Sequence, residues 1–385
     1  MRLTASAAAI AALFALLPAI GAGGVMGLPV VLCVMGALAI RPSLITQVFE
    51  KRLLAALLLM TFAVWVCVTS LWSAHPGHAQ ATKLAVLVPL GLMFAAAASD
   101  EKDRQLTQAM GVAAFVVLAV LMVIEALWDL PINRAANPQI PPHEVIRNVN
   151  RGAALVLATT WATAASLLAH GRANAARALL AASLLLTLPL GLWANLVALG
   201  AGLIVFAIAF SAPRLAIMSV SMGLAFWMLA APFLTPLILA NQGLVDALPI
   251  SWAVRAGIWD YVCGRILEQP WLGHGLDASR AVTDRIEVRD LELRAVSLHP
   301  HSASLQIWFE TGAVGAILAA ATLLAGGWAL ARAFERNRPA AAAAAASLAS
   351  LGIIANLSFG AWQEWWIATM FVTAALVGAL AHRRA

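Results

Sequence analysis

Long apolar runs, most of them about the length needed to cross a lipid bilayer, recur along this whole chain. Of its 385 residues, 62% are hydrophobic and only 11% are charged, whereas soluble domains carry about 25% charged residues. A run of about 18 or more apolar residues predicts a transmembrane helix, and no strand-length alternation recurs as a barrel would require. The chain is therefore predicted to be an all-α polytopic membrane protein.

About twelve transmembrane helices are predicted, with two longer polar connections. The chain then has three parts: residues 1–240 with nine helices and a loop at 129–150, a long loop at 241–302, and residues 303–385 with three helices. The first apolar run is expected to remain a membrane helix, not a cleaved signal peptide, because apolar character resumes directly after Gly21–Gly24. The predicted helices are 4–20, 24–40, 52–72, 82–98, 107–128, 152–170, 177–192, 195–211, 215–238, 303–330, 339–358 and 362–381.

Basic residues concentrate in one set of short connections. The positive-inside rule places these connections in the cytoplasm, so both termini are predicted to be cytoplasmic and both long loops external. The net charge of +6 is spread over the connections and does not indicate a nucleic-acid partner. The basic residues of the predicted cytoplasmic connections are Arg41, Lys51, Arg52, Lys102, Arg104, Arg172, Arg177, Arg214, Arg332, Arg336 and Arg338, with Arg2, Arg383 and Arg384 at the termini.

The long loop is expected to contain solvated, salt-bridged helices, the first of which carries an arginine between two tryptophans. Trp252, Arg255 and Trp259 are spaced i, i+3 and i+7, which places them on one helix face. A guanidinium stacked on an indole is suited to bidentate contact with phosphate. The alternative is an interfacial helix whose arginine contacts lipid headgroups. Downstream, Pro270–Gly275 predicts a turn, whose exposed backbone N–H groups are a weaker candidate for binding an anion.

His301 comes directly before the tenth predicted helix. Imidazole changes charge near neutral pH, so His301 is a candidate base for a sugar hydroxyl, the alternative being an ordinary interfacial histidine. His299 and His301 alone are too few ligands for a metal. Because the three cysteines are scattered, no disulfide framework is predicted, and no metal or cofactor is expected.

Small and polar residues in the last three helices have structural interpretations. Gly312 and Gly315 are spaced i and i+3 within one helix, which favours close helix approach. Glu364 is expected to face an external arginine. Glu125 and Glu364 are predicted near helix ends, so no ionisable residue is predicted at bilayer depth, and no helix is predicted to be broken. An interfacial aromatic belt is predicted from Trp72, Trp128, Trp193, Trp362, Trp365 and Trp366.

These motifs make the chain resemble the O-antigen ligase family, part of a wider group with O-antigen polymerases and protein O-oligosaccharyltransferases. The family pattern of His, then Asn, Ser or Gln, nine residues, Gly, two residues and Gly, Thr or Tyr corresponds to His301-Ser302, Gly312 and Gly315. A second pattern, Arg, three residues, Trp, then Pro-x-x-Gly-x-Gly, is matched by Arg255, Trp259, Pro270, Gly273 and Gly275.

The resemblance implies a metal-independent, inverting glycosyltransferase of the GT-C type with no cofactor. It would lie in a bacterial inner membrane with its long loops and active site on the periplasmic face. Its donor would be a glycan on undecaprenyl pyrophosphate, and its acceptor a sugar hydroxyl of lipid A-core in lipopolysaccharide biosynthesis, both reached from the surrounding membrane lipids. His301 would act as the base, and Arg255 would stabilise the departing pyrophosphate. Further candidate contacts to the lipid phosphates are Trp259, Arg147, Arg151 and Arg265.

Three alternatives to the ligase stay open at the level of sequence. An O-antigen polymerase and a protein O-oligosaccharyltransferase share the motif, and nothing in the chain identifies the acceptor. A transporter of lipid-linked glycans would need ionisable residues at bilayer depth and broken helices. Many relatives carry a Ser-Arg pair aligned with Leu192–Asn195, where this chain has no arginine; either Arg147 or Arg151 replaces it, or the donor is held differently.

Overall fold

The computed structural model describes residues 4–381, and the side chains of all of these except 47–52 and 142–143. Within these residues the chain is almost entirely helical. The helices are α1 (Ala5–Ala22), α2 (Leu28–Ala39), α3 (Pro42–Thr69), α4 (His78–Ala98), α5 (Arg104–Leu127), α6 (Pro131–Ala136), α7 (Pro142–Ala169), α8 (Ala173–Thr187), α9 (Trp193–Ser211), α10 (Pro213–Leu239), α11 (Gln242–Ala247), α12 (Ile250–Ile266), α13 (Ala303–Phe334), α14 (Arg338–Leu357) and α15 (Glu364–Ala379).

Eight of these helices are long and apolar enough to cross a membrane: α1, α4, α5, α7, α9, α10, α13 and α14. Four shorter apolar helices, α2, the described part of α3, α8 and α15, complete the set that the sequence predicts. The chain is a multi-pass membrane protein, as predicted, whereas twelve crossings and a GT-C fold stay predictions. The orientation prediction rests partly on Arg2, Arg383 and Arg384, which lie outside the described residues.

Among the eight long apolar helices, α7 and α14 are the most buried within the protein. The alanine run 340–346 of α14 is buried, and such small side chains let neighbouring helices approach closely. Trp161 on α7 donates to the Ser350 hydroxyl on α14 (2.8 Å), and Ser350 donates to a carbonyl on α9 (2.9 Å). Of the predicted aromatic belt, Trp362, Trp365 and Trp366 are instead buried within the protein.

Residues 240–302 cover one end of the bundle, which we call the α12 side. They form α11, α12, a 3₁₀ turn (Ala278–Ala281) and an antiparallel hairpin, β1 (Arg285–Val288) with β2 (Leu291–Arg294). The hairpin replaces the second solvated helix that the charge pattern predicts. Its tight turn has two residues at positive φ, 49° and 64°, a geometry that matches the strand twist. Ile286 and Val288 pack over Gly257 of α12.

The helix α13 is broken at Gly312, which has φ 66° and ψ −169°. The prediction of an unbroken helix with Gly312 and Gly315 at a helix–helix contact is therefore wrong. A Cβ at Gly312 would lie 2.2 Å from the Trp271 carbonyl oxygen, so the turn Pro270–Gly275 touches the break directly. Gly315 instead leaves room for the side chain of Thr311 in its own helix, because a Cβ there would lie 1.8 Å from its hydroxyl.

The turn takes over the backbone N–H groups that the break leaves free. In an unbroken helix, Ala313 and Val314 would donate to carbonyls four residues earlier. Here they donate to the carbonyls of Pro270 (2.8 Å) and Trp271 (3.3 Å). Both donors therefore find partners inside the protein, as a non-helical segment at membrane depth requires.

The same turn satisfies the carbonyls on the other side of the break. The Phe309 carbonyl accepts from the N–H of His274 (2.8 Å), and the Glu310 carbonyl accepts from the N–H of Gly275 (2.9 Å). The third freed carbonyl, of Thr311, accepts from the Trp65 indole (3.0 Å). The backbone of the turn and the backbone of α13 thus donate hydrogen bonds to each other in both directions, as two paired strands do. These bonds fix the turn against α13.

Substituting Gly312→Ala should prevent this exchange. The backbone conformation at Gly312 is open essentially only to glycine, at a cost of about 1–3 kcal/mol for other residues, and the added methyl group would overlap the Trp271 carbonyl. We expect a large loss of folded protein, measured as thermal unfolding in detergent. Gly326→Ala is the matched control, because the same helix has open space there. Equal unfolding temperatures for both variants would contradict this account of the break.

Candidate active site

His301 lies on the α12 side, one residue before the first turn of α13. Its φ of 56° is in the left-handed region, which is uncommon for a residue with a side chain. Its Nδ1 lies 2.6 Å from the Ser358 carbonyl oxygen. Because a carbonyl only accepts, Nδ1 carries the ring proton. Nε2 is then the basic nitrogen, and it has no hydrogen-bond partner in the described part of the chain.

Burial lowers the pKa of His301, the bond to the Ser358 carbonyl raises it, and the positive charge of Arg255 lowers it again. Burial dominates, so the net shift is downward. A lowered pKa keeps the ring neutral at physiological pH, which is the form that accepts a proton.

Ser302 explains the second position of the motif, because it is the N-cap of α13. Its hydroxyl accepts from the N–H of Leu305 (3.5 Å). Asn356 of α14 adds a second cap, since its side-chain oxygen accepts from the N–H of Ser304 (3.1 Å). Small polar residues are preferred at an N-cap for this reason. The caps fix the start of α13 immediately after His301.

Arg255 is a half-buried cation on α12 with no acidic partner among the described residues. Its guanidinium lies 5.0 Å from the centre of the Trp252 ring. Burial lowers its pKa, although a guanidinium stays protonated in proteins. Its charge acts on both His299 and His301. A desolvated and unpaired guanidinium beside a neutral imidazole is suited to binding an anion.

Trp259, one turn after Arg255, attaches α12 to the histidine segment. Its indole nitrogen donates to the carbonyl of Pro300, at 2.8 Å. The expected sandwich of Arg255 between two indoles is therefore half correct: Trp252 stacks on the guanidinium, while Trp259 holds the backbone beside His301. Because Arg255 and Trp259 are one turn apart on α12, the bond from Trp259 to Pro300 holds the backbone of Arg255 at a defined distance from the backbone beside His301.

Glu310 is a fully buried carboxylate that the sequence analysis missed. Its oxygens accept from the backbone of Asp277 (2.7 Å), the hydroxyl of Ser279 (2.5 Å), the amide of Gln306 (3.1 Å) and the indole of Trp362 (2.5 Å). One side chain thus ties the 3₁₀ turn, α13 and the α14–α15 connection together. It also corrects the prediction that no ionisable residue lies within the last three helices away from their ends.

A cavity of about 500 Å³ lies directly below these residues. Its upper end is lined by Ser304, Asn356 and Trp362, and it extends between α3, α4, α10, α13, α14 and α15 as far as Phe334 and Gly378. Its walls are almost wholly apolar. A cavity of this kind accepts a hydrocarbon chain, with the polar residues of the α12 side at its mouth.

Among the described residues, the other three arginines predicted to contact phosphate make no hydrogen bond or ion pair with His301 or Arg255. Arg265 pairs with Glu268 at 3.0 Å, and ten residues of helix place it about 15 Å from Arg255 along the axis. Arg147 and Arg151 lie one turn apart at the start of α7, which packs mainly on α5, α8, α14 and α15. Arg147 is exposed, and Arg151 contacts Asn148 at 3.3 Å. The structure does not bring these three arginines against His301.

Two polar predictions near the site are wrong. The Pro270–Gly275 turn cannot offer the N–H groups of Gly273, His274 and Gly275 to an anion, because backbone carbonyls already accept from all three. Glu364 pairs with Lys83 at 2.8 Å and not with an arginine. Among the described residues, no three His, Cys, Asp or Glu side chains come together as a metal site would need.

Comparison with known proteins supports the resemblance that the motifs indicate. The O-antigen ligase family model matches residues 175–320, a span that contains Arg255, the glycine turn, His301 and the broken helix. The resemblance to the O-antigen ligase family is confirmed. Two proteins named as candidate polysaccharide ligases are similar to this ligase-like chain over 80% of its length and 76% of their own: one from Rickettsia conorii at 26% identity, and one from Rickettsia prowazekii at 25%. No solved structure matches the chain.

The motif patterns give no role to three polar residues of this region, all of which are buried. His299 is 8% exposed, Gln306 2% and Glu310 0%. Gln306 and Glu310 follow Ser302 at the spacing of one helix face, which was a usable signal. Arg280 is also close enough for its charge to act on His299, and it pairs with Asp277 at 3.2 Å.

Substituting Glu310→Gln should destabilise the protein without changing its shape. One acceptor oxygen becomes a donor that faces other donors, and an unsatisfied buried polar group costs about 1–3 kcal/mol. Glu268→Gln is the control, because Glu268 is exposed. Thermal unfolding of both variants measures the effect, and an unchanged transition for Glu310→Gln would show that the buried carboxylate does not hold these segments together.

Proposed function

We propose that this protein is an O-antigen ligase that transfers a glycan from undecaprenyl pyrophosphate to a sugar hydroxyl of lipid A-core, on the periplasmic face of a bacterial inner membrane. The proposal rests above all on one juxtaposition. An imidazole with its basic Nε2 free lies within electrostatic range of an unpaired, half-buried guanidinium, and Ala303, two residues after the imidazole, lines a large apolar cavity. The family match and the names of the similar proteins support a glycan-transferring enzyme.

The reaction needs a base on one side and an anion site on the other. The acceptor hydroxyl oxygen attacks the anomeric carbon opposite the pyrophosphate, and its proton moves to His301 Nε2. The bond between the anomeric carbon and the pyrophosphate oxygen breaks, with its electron pair leaving on the pyrophosphate. Attack from the opposite face inverts the configuration. Arg255 stabilises the charge that develops on the leaving group, a type of contact typically worth about 10²–10³ in rate.

The apolar cavities suit substrates that carry hydrocarbon chains. The 500 Å³ cavity would hold part of the polyprenyl chain and present its pyrophosphate to Arg255. A second apolar cavity of about 370 Å³ lies between α3 and α4 and shares Ala63 and Leu84 with the first. Two adjoining apolar spaces fit a reaction between two lipid-anchored substrates, since anchoring both supplies proximity.

A transporter, a polymerase and a protein-modifying ligase would each require different properties of this site. A transporter was disfavoured partly because the sequence shows no broken helix, and the break in α13 removes that argument. The break is nevertheless closed by protein hydrogen bonds, and Glu310 is fully engaged by protein donors. Neither is left free to bind and release a cargo, which favours an enzyme. A polymerase or a protein-modifying ligase would use the same base and cation with another acceptor.

Reconstituted protein tests the function directly. Purified protein in liposomes, given undecaprenyl-pyrophosphate glycan and lipid A-core, should form glycosylated core that mass spectrometry detects, with or without a chelator. Lengthened lipid-linked glycan as the product would indicate a polymerase, and translocation without covalent product a transporter. Activity that is lost on chelation would contradict the metal-independent mechanism.

His301→Ala should abolish transfer, because general-base catalysis is typically worth about 10²–10⁴ in rate. In the wild type, the neutral ring is the active form and its pKa is lowered. Activity should therefore persist below the ordinary histidine value of 6.5 and fall only as the pH drops through the lowered pKa. His78→Ala, at an exposed histidine, is the control. Wild-type rates in His301→Ala would eliminate His301 as the base.

Arg255→Gln should lower kcat about 10²–10³-fold through loss of charge stabilisation. It should also move the acid limb of the pH profile upward, because the Arg255 charge lowers the pKa of His301. Arg285→Gln is the matched control: this exposed arginine of the hairpin pairs with Glu292. A lower rate with an unmoved acid limb would mean that Arg255 does not act beside His301.

A further inference from the structure

His299 lies in direct contact with His301, and the mechanism above gives it no part. Its ring centre is 4.4 Å from that of His301, with the two planes at 60°. Its Nδ1 lies 3.2 Å from the backbone nitrogen of His301. Gly360 makes room for the ring, since a Cβ there would lie 2.9 Å from Cγ of His299.

The contact with the His301 backbone determines which nitrogen of His299 carries the proton. A backbone N–H only donates, so Nδ1 of His299 accepts and Nε2 is protonated. Nε2 faces the side-chain amide of Gln363, at 3.2 Å from its nitrogen, while the amide oxygen is buried without a partner. The opposite amide orientation, which differs only by a half-turn, lets that oxygen accept from Nε2–H. Both ring nitrogens of His299 are then satisfied.

His299 stays in this acceptor form under all working conditions. Burial, followed by the neighbouring His301 and the charges of Arg280 and Arg255, lowers the pKa of His299 to about 3. Protonation would place a proton on Nδ1 and end the bond to His301. Because that occurs only in strong acid, the lone pair on Nδ1 remains available wherever transfer takes place.

The geometry around His299 imitates an Asx-turn. In such a turn, a side-chain oxygen of Asn or Asp accepts from the N–H two residues later. Here Nδ1 of His299 accepts from the N–H of the second following residue, His301, across Pro300. The bond fixes the peptide group between Pro300 and His301, from which His301 extends with a left-handed φ of 56°. That conformation directs Nδ1–H of His301 to the Ser358 carbonyl.

We propose that His299 is a positioning residue for the transfer reaction: by accepting from the backbone N–H of His301, it holds the peptide group from which His301 extends, so that Nδ1–H reaches the Ser358 carbonyl and Nε2 is presented as the base. This role rests on the proposed function. The competing explanation is that His299 merely fills space between Gly360 and Gln306, in which case its shape matters and its acceptor does not.

Three substitutions separate these explanations. His299→Asn keeps an acceptor at the δ position and forms a true Asx-turn, His299→Gln moves the amide one bond further away, and His299→Phe keeps the ring but has no acceptor. We expect Asn to stay within about tenfold of the wild-type kcat, and Gln and Phe to lose about 10²-fold, as a small misplacement of a reacting group does. KM should change little in each. Wild-type kcat in His299→Phe, or equal losses for Asn and Phe, would overturn the proposal.

A second readout does not depend on transfer activity. Diethyl pyrocarbonate modifies neutral imidazoles, and peptide mass spectrometry follows its reaction with His301 as the pH is varied. Burial lowers the pKa of His301, so release of the ring into water in His299→Gln and His299→Phe should move the midpoint up by about one pH unit. His299→Asn should keep the wild-type midpoint. Equal midpoints in all four proteins would overturn the positioning role.

The activity and reactivity measurements distinguish failure of the proposed function from failure of the positioning role of His299. If wild-type protein forms no glycosylated product from any lipid-linked glycan while the reactivity midpoints shift as expected, the proposed function fails and the structural role of His299 stands. If transfer is robust and neither kcat nor the midpoint responds to the acceptor at residue 299, the positioning role fails and the ligase proposal stands. Thermal unfolding of each variant confirms that the comparison is made on folded protein.

Discussion

The break in α13 at Gly312 is the constraint on which the rest of the site depends. A helix interrupted at membrane depth exposes backbone donors and acceptors that lipid cannot satisfy. The Pro270–Gly275 turn supplies partners on both sides of the break. The polar segment that follows α12 is therefore fastened to a membrane helix by main-chain hydrogen bonds. Glu310, two turns after the capped start of α13, then joins the Pro270–Gly275 region to the α14–α15 connection.

The hydrogen bonds between the Pro270–Gly275 turn and α13 also help to hold Arg255 and His301 relative to each other. The two ends of the site come from distant parts of the chain, Arg255 from α12 and His301 from the start of α13. Their separation is held by the Trp259 indole on the Pro300 carbonyl and, below it, by the closed break. Preorganisation of this kind allows an unpaired cation and a neutral imidazole to stay close before any substrate arrives. The glycines of the family motif therefore act on the backbone scaffold and have no place in an anion-binding loop.

The sequence predicted the structure correctly where the residues of one segment are enough to determine its conformation. The apolar runs predicted every long helix, because burial in lipid demands length and hydrophobicity that composition reveals directly. The helix bearing Arg255 and the turn after it followed from periodicity and from Pro and Gly placement. Predictions from the sequence were wrong where the outcome depends on hydrogen bonds or packing between two distant segments. The anion-binding role of the turn was wrong because its N–H groups are used by α13, and Trp365 and Trp366 are buried in the core because α15 packs against α4 and α7.

By itself, then, the sequence determined the membrane class, the helix positions and the identity of His301 and Arg255 as the residues to consider. It could do so because hydrophobic length and motif spacing are properties of the chain alone. Only the tertiary structure decided that α13 is broken, that Glu310 and His299 are buried and hydrogen-bonded, and that Arg147, Arg151 and Arg265 lie apart from His301. Those outcomes depend on which donor meets which acceptor across the fold, and no local pattern encodes that pairing.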